Sequence, residues 1–191
     1  MRGRKPAFKH TKRLFVIASE GEKTEPIYFQ EFSPGRDGNF RLKILETRNG
    51  KSKPLDVLMR LTQFEKQQKP GPAAEYWVVI DRDAWTENDL NEVAREIAKR
   101  PNYHLALSNP CFELWLWLHL RPNRPFSDRH DCQYQLERAW PGYSKGSYDA
   151  ASLMPFAKTA CERAKSENFG SDAPWPRTQG TGVYRLVECL H

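Results

Sequence analysis

Two continuous apolar runs mark the first half of the chain, and each stops at acids. Leu14-Phe15-Val16-Ile17-Ala18-Ser19 runs into Glu20-Gly21, and Tyr76-Trp77-Val78-Val79-Ile80 runs into Asp81-Arg82-Asp83. Runs of this length without alternation predict strands buried on both faces, as in a parallel sheet. Phe40 to Leu45 differs, because Phe40, Leu42 and Ile44 alternate with Arg41 and Lys43. That pattern predicts a half-exposed strand at the edge of the sheet. Tyr103 to Leu107 predicts a short fourth strand.

Helical spacing fills the gaps between these strands. After Ser19 a helix is expected, with Thr24 as its N-cap, Pro26 in the first turn, and Tyr28 and Phe32 on its inner face. Ser33-Pro34-Gly35 and Asp37-Gly38 should break it. Leu55, Leu58, Met59 and Leu61 form a stripe starting near Pro54. Thr86-Glu87-Asn88-Asp89 resembles a capping box, opening a helix with Leu90, Val93, Ala94 and Ile97 on one side. Strands alternating with helices predict an α/β core over residues 13–120, with a mainly parallel four-stranded sheet flanked by helices. Cys111 to Leu120 is apolar nearly all round and predicts a buried helix. Beyond Arg121-Pro122-Asn123-Arg124-Pro125 the pattern predicts helices only. Leu153, Phe156, Ala157, Ala160 and Ala164 form one stripe, and Val183, Leu186, Val187 and Leu190 another. Residues 121–191 are thus a helical extension expected to pack on the core, and residues 1–12 a basic arm.

Composition narrows the classes. A chain of 191 residues fits one domain, and 39% hydrophobic residues with 12% aromatics exclude wholesale disorder. No apolar run reaches the roughly 18–20 residues of a membrane span, and no hydrophobic block follows the basic start, so a cytoplasmic protein without membrane contact is expected. Cys111, Cys132, Cys161 and Cys189 form no C-x-x-C pair, which argues for buried, reduced thiols rather than a zinc ribbon or thioredoxin-type site. The net charge of +6 suits a polyanionic partner. Arg2, Arg4, Lys5, Lys9, Lys12 and Arg13 crowd the amino terminus, either as a solubilising tail or as an arm on nucleic-acid phosphates.

In open parallel sheets, residues just past the strand carboxyl ends line the ligand crevice. Glu20 and the pair Asp81 and Asp83 would meet there, and three close carboxylates cannot all stay charged without a cation. Hard carboxylate oxygens suit Mg²⁺ or Mn²⁺. Glu20 also has a plainer use, since an acid near a helix start favours the helix dipole. Glu113 lies in an apolar run where an unpaired charge is costly. It calls either for a buried ion pair with an arginine or for a role as second-metal ligand or general base. Asn109 reads as an N-cap, Ser108 is open between roles, and His104 and His119 read as structural. Lys145 is either a surface lysine or a group that neutralises a phosphorane-like transition state.

Three segments taken together resemble the RloB family: residues 17–29 (IASEGEKTEPIYF), 79–83 (VIDRD) and 108–115 (SNPCFELW), with residues 183–188 (VYRLVE) similar to its closing helix. The resemblance implies a minimal Toprim-like, Rossmannoid core, the metal-dependent fold of topoisomerases, primases and overcoming-lysogenization-defect nucleases. It implies Glu20 as the acid after the first strand and Asp81 and Asp83 as the metal-binding pair. By analogy with those nucleases, Ser108 and Glu113 would serve a second metal and Glu25 would assist the first. It further implies a nuclease acting on DNA or RNA with Mg²⁺ or Mn²⁺, in a bacterial defence or restriction locus, often beside an ATPase. The alternative is a non-catalytic nucleic-acid-binding or ATPase-docking subunit with a vestigial metal pocket. The chain's length argues against a topoisomerase, which needs separate strand-passing domains carrying the attacking tyrosine, and the same reason and the want of a zinc module argue against a primase. A haloacid-dehalogenase-type phosphatase would have Thr or Val where Trp85 stands.

Overall fold

The computed structural model describes residues 12–34, 38–47, 53–82, 85–166 and 173–191. β1 (Arg13–Ser19) has every side chain from Leu14 to Ser19 buried, as an unbroken apolar run requires. It pairs in parallel with β2 (Phe40–Leu45) on one side and β3 (Ala74–Asp81) on the other. β4 (Tyr103–Asn109) continues the parallel sheet beside β3, and β5 (Gly180–Thr181) closes it antiparallel, giving the order β2-β1-β3-β4-β5. α1 (Thr24–Gln30), α2 (Pro54–Gln68) and α3 (Glu87–Ala98) connect the parallel strands. After β4 come α4 (Glu113–Leu120), α5 (Arg129–Ala139), a 3₁₀ segment (Ala150–Phe156), α6 (Ala157–Ser166) and α7 (Val183–Leu190).

Strand alternation divides the apolar side chains between two faces. Phe15, Ile17, Trp77, Val79 and Ala106 pack with Tyr28 and Phe29 of α1, Trp115 of α4 and Leu186 of α7. Val16, Val78, Ile80 and Leu107 pack instead with Val57 and Leu61 of α2 and with Leu90 and Val93 of α3. The crossover leaving β1 therefore covers one face, while those leaving β2 and β3 cover the other. With right-handed crossovers, the chain must then progress in opposite directions from β1 and from β3. A crevice opens between the carboxyl ends of these two strands, the place where open sheets of this kind bind ligands.

Several expectations stand and several are corrected. β2 is an edge strand, the Thr86/Asp89 capping box is present in both directions, and Leu90, Val93, Ala94 and Ile97 are the buried face of α3. Thr24 is the first residue of α1, and the N-cap position is Lys23, which makes no side-chain cap. α2 buries Val57, Leu58 and Leu61, whereas Met59 is exposed. The sheet has a fifth strand, and it comes from the region expected to be helical throughout. Thr181 and Gly180 pair with Ser108 and Asn109, so the last part of the chain completes the sheet as well as covering it. Phe156 is exposed, while Leu153, Ala157, Ala160 and Ala164 of the same stripe are buried. The break from 3₁₀ to α geometry at Ala157 shifts the helical phase and turns Phe156 outward. The four cysteines are free thiols. Among the described residues no helix is long and apolar enough to cross a membrane.

Tyr28 anchors α1 to α4. Its ring meets Phe112, Trp115 and His119 edge-on at centroid distances of 5.8, 6.0 and 5.4 Å. Its hydroxyl lies 3.0 Å from His119 Nε2, and His119 Nδ1 lies 2.9 Å from the Trp115 carbonyl. A neutral imidazole satisfies both partners, donating from Nδ1 to the carbonyl and accepting the Tyr28 proton at Nε2. Burial lowers the His119 pKa from 6.5 to about 4, with the nearby Arg163 adding to the fall and the bond to the Trp115 carbonyl opposing it. The unfolded chain thus binds a proton between pH 6.5 and 4 that the folded chain refuses, and stability falls with pH across that window. His119→Gln should lose about 3 kcal/mol less than the wild type between pH 7 and pH 4 in urea titrations. Parallel curves for the two proteins would refute a buried neutral imidazole.

Candidate functional site

Strand register decides where the acids arrive. Ser19 pairs with Val79 and Asp81 with Ser108, so β1, β3 and β4 end close together. The Glu20 N–H then donates to the Val79 carbonyl at 2.9 Å, and the Arg82 N–H to the Ser108 carbonyl at 2.8 Å. These bonds carry the sheet one residue beyond its strands and hold both acidic turns. Glu20 Oε2 accepts from the Asp81 N–H at 3.2 Å and from the Trp85 indole N–H at 3.0 Å. The two acidic motifs, remote in sequence, are therefore in contact.

A cleft of ≈ 260 Å³ opens at this edge, lined by Glu20, Glu25, Asp81 and Glu113 together with Lys23, Arg129 and Lys145. Glu25, on the first turn of α1, is 4% exposed, and its Oε1 accepts the Gly21 N–H at 3.1 Å. Burial pushes its carboxyl up to about 7; N–H groups of Glu25 and Gly21 oppose this, and the charges of Glu113 and Glu20 add to the rise. Glu113 opens α4 and is 2% exposed. Its Oε1 accepts from Gln133 Nε2 and the Tyr143 hydroxyl, each at 3.1 Å, and Lys145 Nζ stands 4.0 Å away. The costly charge expected in this apolar helix is thus met by two neutral donors with a lysine nearby. Burial and Glu113 keep the Tyr143 hydroxyl protonated, so it remains a donor.

The segment carrying Tyr143 and Lys145 folds back over α1. Ser144 and Ser147 form a bridge, and the Tyr148 hydroxyl donates to the Thr24 carbonyl at 2.6 Å. The Lys145 side chain is more than half exposed at the rim. Lys145 is thus a surface lysine that also lines the acidic cleft.

Other expected site residues lie elsewhere. Ser108 is 1% exposed, and its hydroxyl pairs with Thr181 Oγ1 at 2.8 Å, tying β4 to β5. Asn109 caps no helix: it ends β4, and its amide donates to the Pro176 carbonyl at 3.2 Å. Arg13 is the first residue of β1, at the far end of the sheet from the cleft, where it pairs with Glu75 and lies over the Phe15 ring. Lys12 immediately precedes that strand and is exposed. Arg2, Arg4, Lys5 and Lys9, like Asp83, lie outside the described residues. Among the described residues no three His, Cys, Asp or Glu side chains form a group that could hold a metal ion.

Sequence reasoning missed Lys23, Arg129, Gln133, Tyr143 and Trp85. Lys23 was within reach, because it lies in the same turn as Glu20 and Glu25. Arg129, Gln133 and Tyr143 carry no local signal, since only packing brings α5 and the 143–148 segment to the cleft, and Trp85 acquires its role only through its contact with Glu20.

Gly21 leaves no spare room. A Cβ there would fall 2.2 Å from Glu25 Oε2 and 2.8 Å from Oε1. Gly21→Ala must therefore expel the Glu25 carboxylate and break the Gly21 N–H bond, at a cost of about 1–3 kcal/mol in urea unfolding. That cost should vanish in a Glu25→Ala background; persistence there would place the strain elsewhere. No curated protein and no solved structure matches the chain. The family model for RloB-like protein matches residues 15–190, from the first strand to the last helix. The chain belongs to the RloB-like family.

Proposed function

We propose that this protein is a metal-dependent nuclease that hydrolyses phosphodiester bonds of DNA or RNA, built on a Toprim-like core. The observation that carries this reading is the convergence of Glu20, Glu25, Asp81 and Glu113 on one cleft at the reversal point of a parallel sheet, with Lys23, Arg129 and Lys145 around it. An acid after the first strand and another after the third is the arrangement the Toprim resemblance implies. Family membership adds the expectation of an anti-phage defence effector, often encoded beside an ATPase.

In chemical type, the donors of the cleft suit a hard divalent cation. Its acids offer carboxylate oxygens, and no thiolate or imidazole is among the described residues lining the cleft. Asp81 and Glu20 would hold Mg²⁺ or Mn²⁺, with Asp83, two residues further along the sequence, as the paired acid the resemblance implies. When bound, such an ion polarises a phosphate oxygen and makes a water more acidic. The rest falls to the chain. Glu113, fixed by Tyr143 and Gln133, is placed to take a proton from water or to serve a second ion. Lys145, Lys23 and Arg129 offset the charge of an entering phosphate. They contact the backbone of a polyanion and carry no base readout.

A second reading, a docking module with a structural acid cluster, draws on one observation: Glu20 already accepts two hydrogen bonds that brace the turn after β3. Metal binding separates the two readings. At 100 times its dissociation constant, Mn²⁺ should stabilise the wild type by about 2.7 kcal/mol, and chelator should reverse this. Glu20→Ala and Asp81→Ala should abolish that gain. Plasmid, single-stranded DNA and structured RNA should be cleaved in Mg²⁺ or Mn²⁺, about 100-fold or more slowly by either variant. Equal cleavage by the variants would remove the catalytic assignment, and absence of metal stabilisation in the wild type would favour the docking module.

A further inference from the structure

The turn that follows β3 returns to Glu20 through one side chain. Trp85 donates its indole N–H to Glu20 Oε2 at 3.0 Å, beside the Asp81 N–H on the same oxygen. The two ends of that turn, Arg82 and Trp85, are tied to each other. The Trp85 N–H donates to the Arg82 carbonyl at 3.2 Å, and Arg82 Nη1 donates to the Trp85 carbonyl at 2.7 Å. The Arg82 N–H in turn donates to Ser108 at the end of β4. The Trp85 ring packs against the core beneath α2 and α3, which fixes where its N–H points. A continuous path therefore runs from β4 through Arg82 and Trp85 to the acid at the end of β1.

The chemistry of the donor matters. An indole N–H only donates and carries no charge, so it can orient a carboxylate without neutralising it. A lysine or arginine in the same place would form an ion pair and compete with an incoming cation. A glutamate free in solvent samples many rotamers, and fixing it costs side-chain entropy that a prior restraint removes. Metal ligands are characteristically held this way by outer hydrogen-bond partners.

We infer that Trp85 is a positioning residue for Glu20, presenting that carboxylate to a divalent cation in the cleft. The inference rests on the proposed metal site, and the experiment keeps the two apart. Mn²⁺ affinity is measured by the loss of the free-ion electron paramagnetic resonance signal, using the full chain. Trp85→Phe keeps an aromatic ring and deletes the donor, and it should bind Mn²⁺ 10- to 100-fold more weakly than the wild type while retaining a cooperative melt. In a Glu20→Gln background the same replacement should change affinity less than about twofold. Unchanged or tighter binding by Trp85→Phe, or an equal loss in both backgrounds, overturns the inference and leaves the metal site standing. Absence of saturable binding by the wild type overturns both. A second measurement serves where Trp85→Phe does not fold. The chain has six tryptophans, and in ¹⁵N spectra Glu20→Gln should displace one indole N–H resonance of the metal-free protein. The same resonance should move when Mg²⁺ is added to the wild type. A Glu20→Gln spectrum with all six resonances in place overturns the inference.

Discussion

The crossover that leaves β1 and the crossover that leaves β3 cover opposite faces of the sheet, and this one constraint organises the molecule. No helix can close over the carboxyl ends of both strands at the point where the chain reverses, so backbone there stays open to ligands. The short segments leaving β1 and β3 must pass this opening. Their side chains are the ones free to become functional, and here they are Glu20 and Asp81. The remaining elements supply walls. α1 brings Glu25, α4 brings Glu113, and the segment after α5 brings Tyr143 and Lys145.

Gathering carboxylates at one edge is unfavourable unless each is met. Three kinds of answer are visible. Glu20 is met by a backbone amide and an indole, Glu113 by an amide, a phenol and a distant lysine, and Glu25 by the Gly21 amide. The neutral donors among these bonds satisfy lone pairs without cancelling charge. The Glu25 carboxyl is raised chiefly by burial, and the charges of Glu113 and Glu20 add to the rise.

Local pattern carried much of the fold. The unbroken run before Glu20 and the one before Asp81 read as two-sided strands, and alternation from Phe40 to Leu45 reads as an edge. The Thr86 capping box needs four residues and no tertiary context, so it is legible from sequence alone. β5 has two residues and no period of its own; it exists because Thr181 and Gly180 find open groups on β4. Met59 and Phe156 sit within helical stripes but face outward, since a stripe records spacing and says nothing of its width. For the site, the acids were legible because apolar strands point to them. Their donors were not, because Gln133, Tyr143 and Trp85 acquire meaning only through distances that packing sets.

Gly146 illustrates how narrowly the mouth of the cleft is drawn. Its backbone has φ +77°, and a Cβ there would stand 3.0 Å from Lys23 Cδ and 3.1 Å from Lys23 Cβ. The hairpin after α5 can therefore lie down on the lysine at the head of α1 only because one carbon is missing. The aperture of the site is a dimension held between two surface segments far apart in the chain, and a single methyl group is enough to widen it.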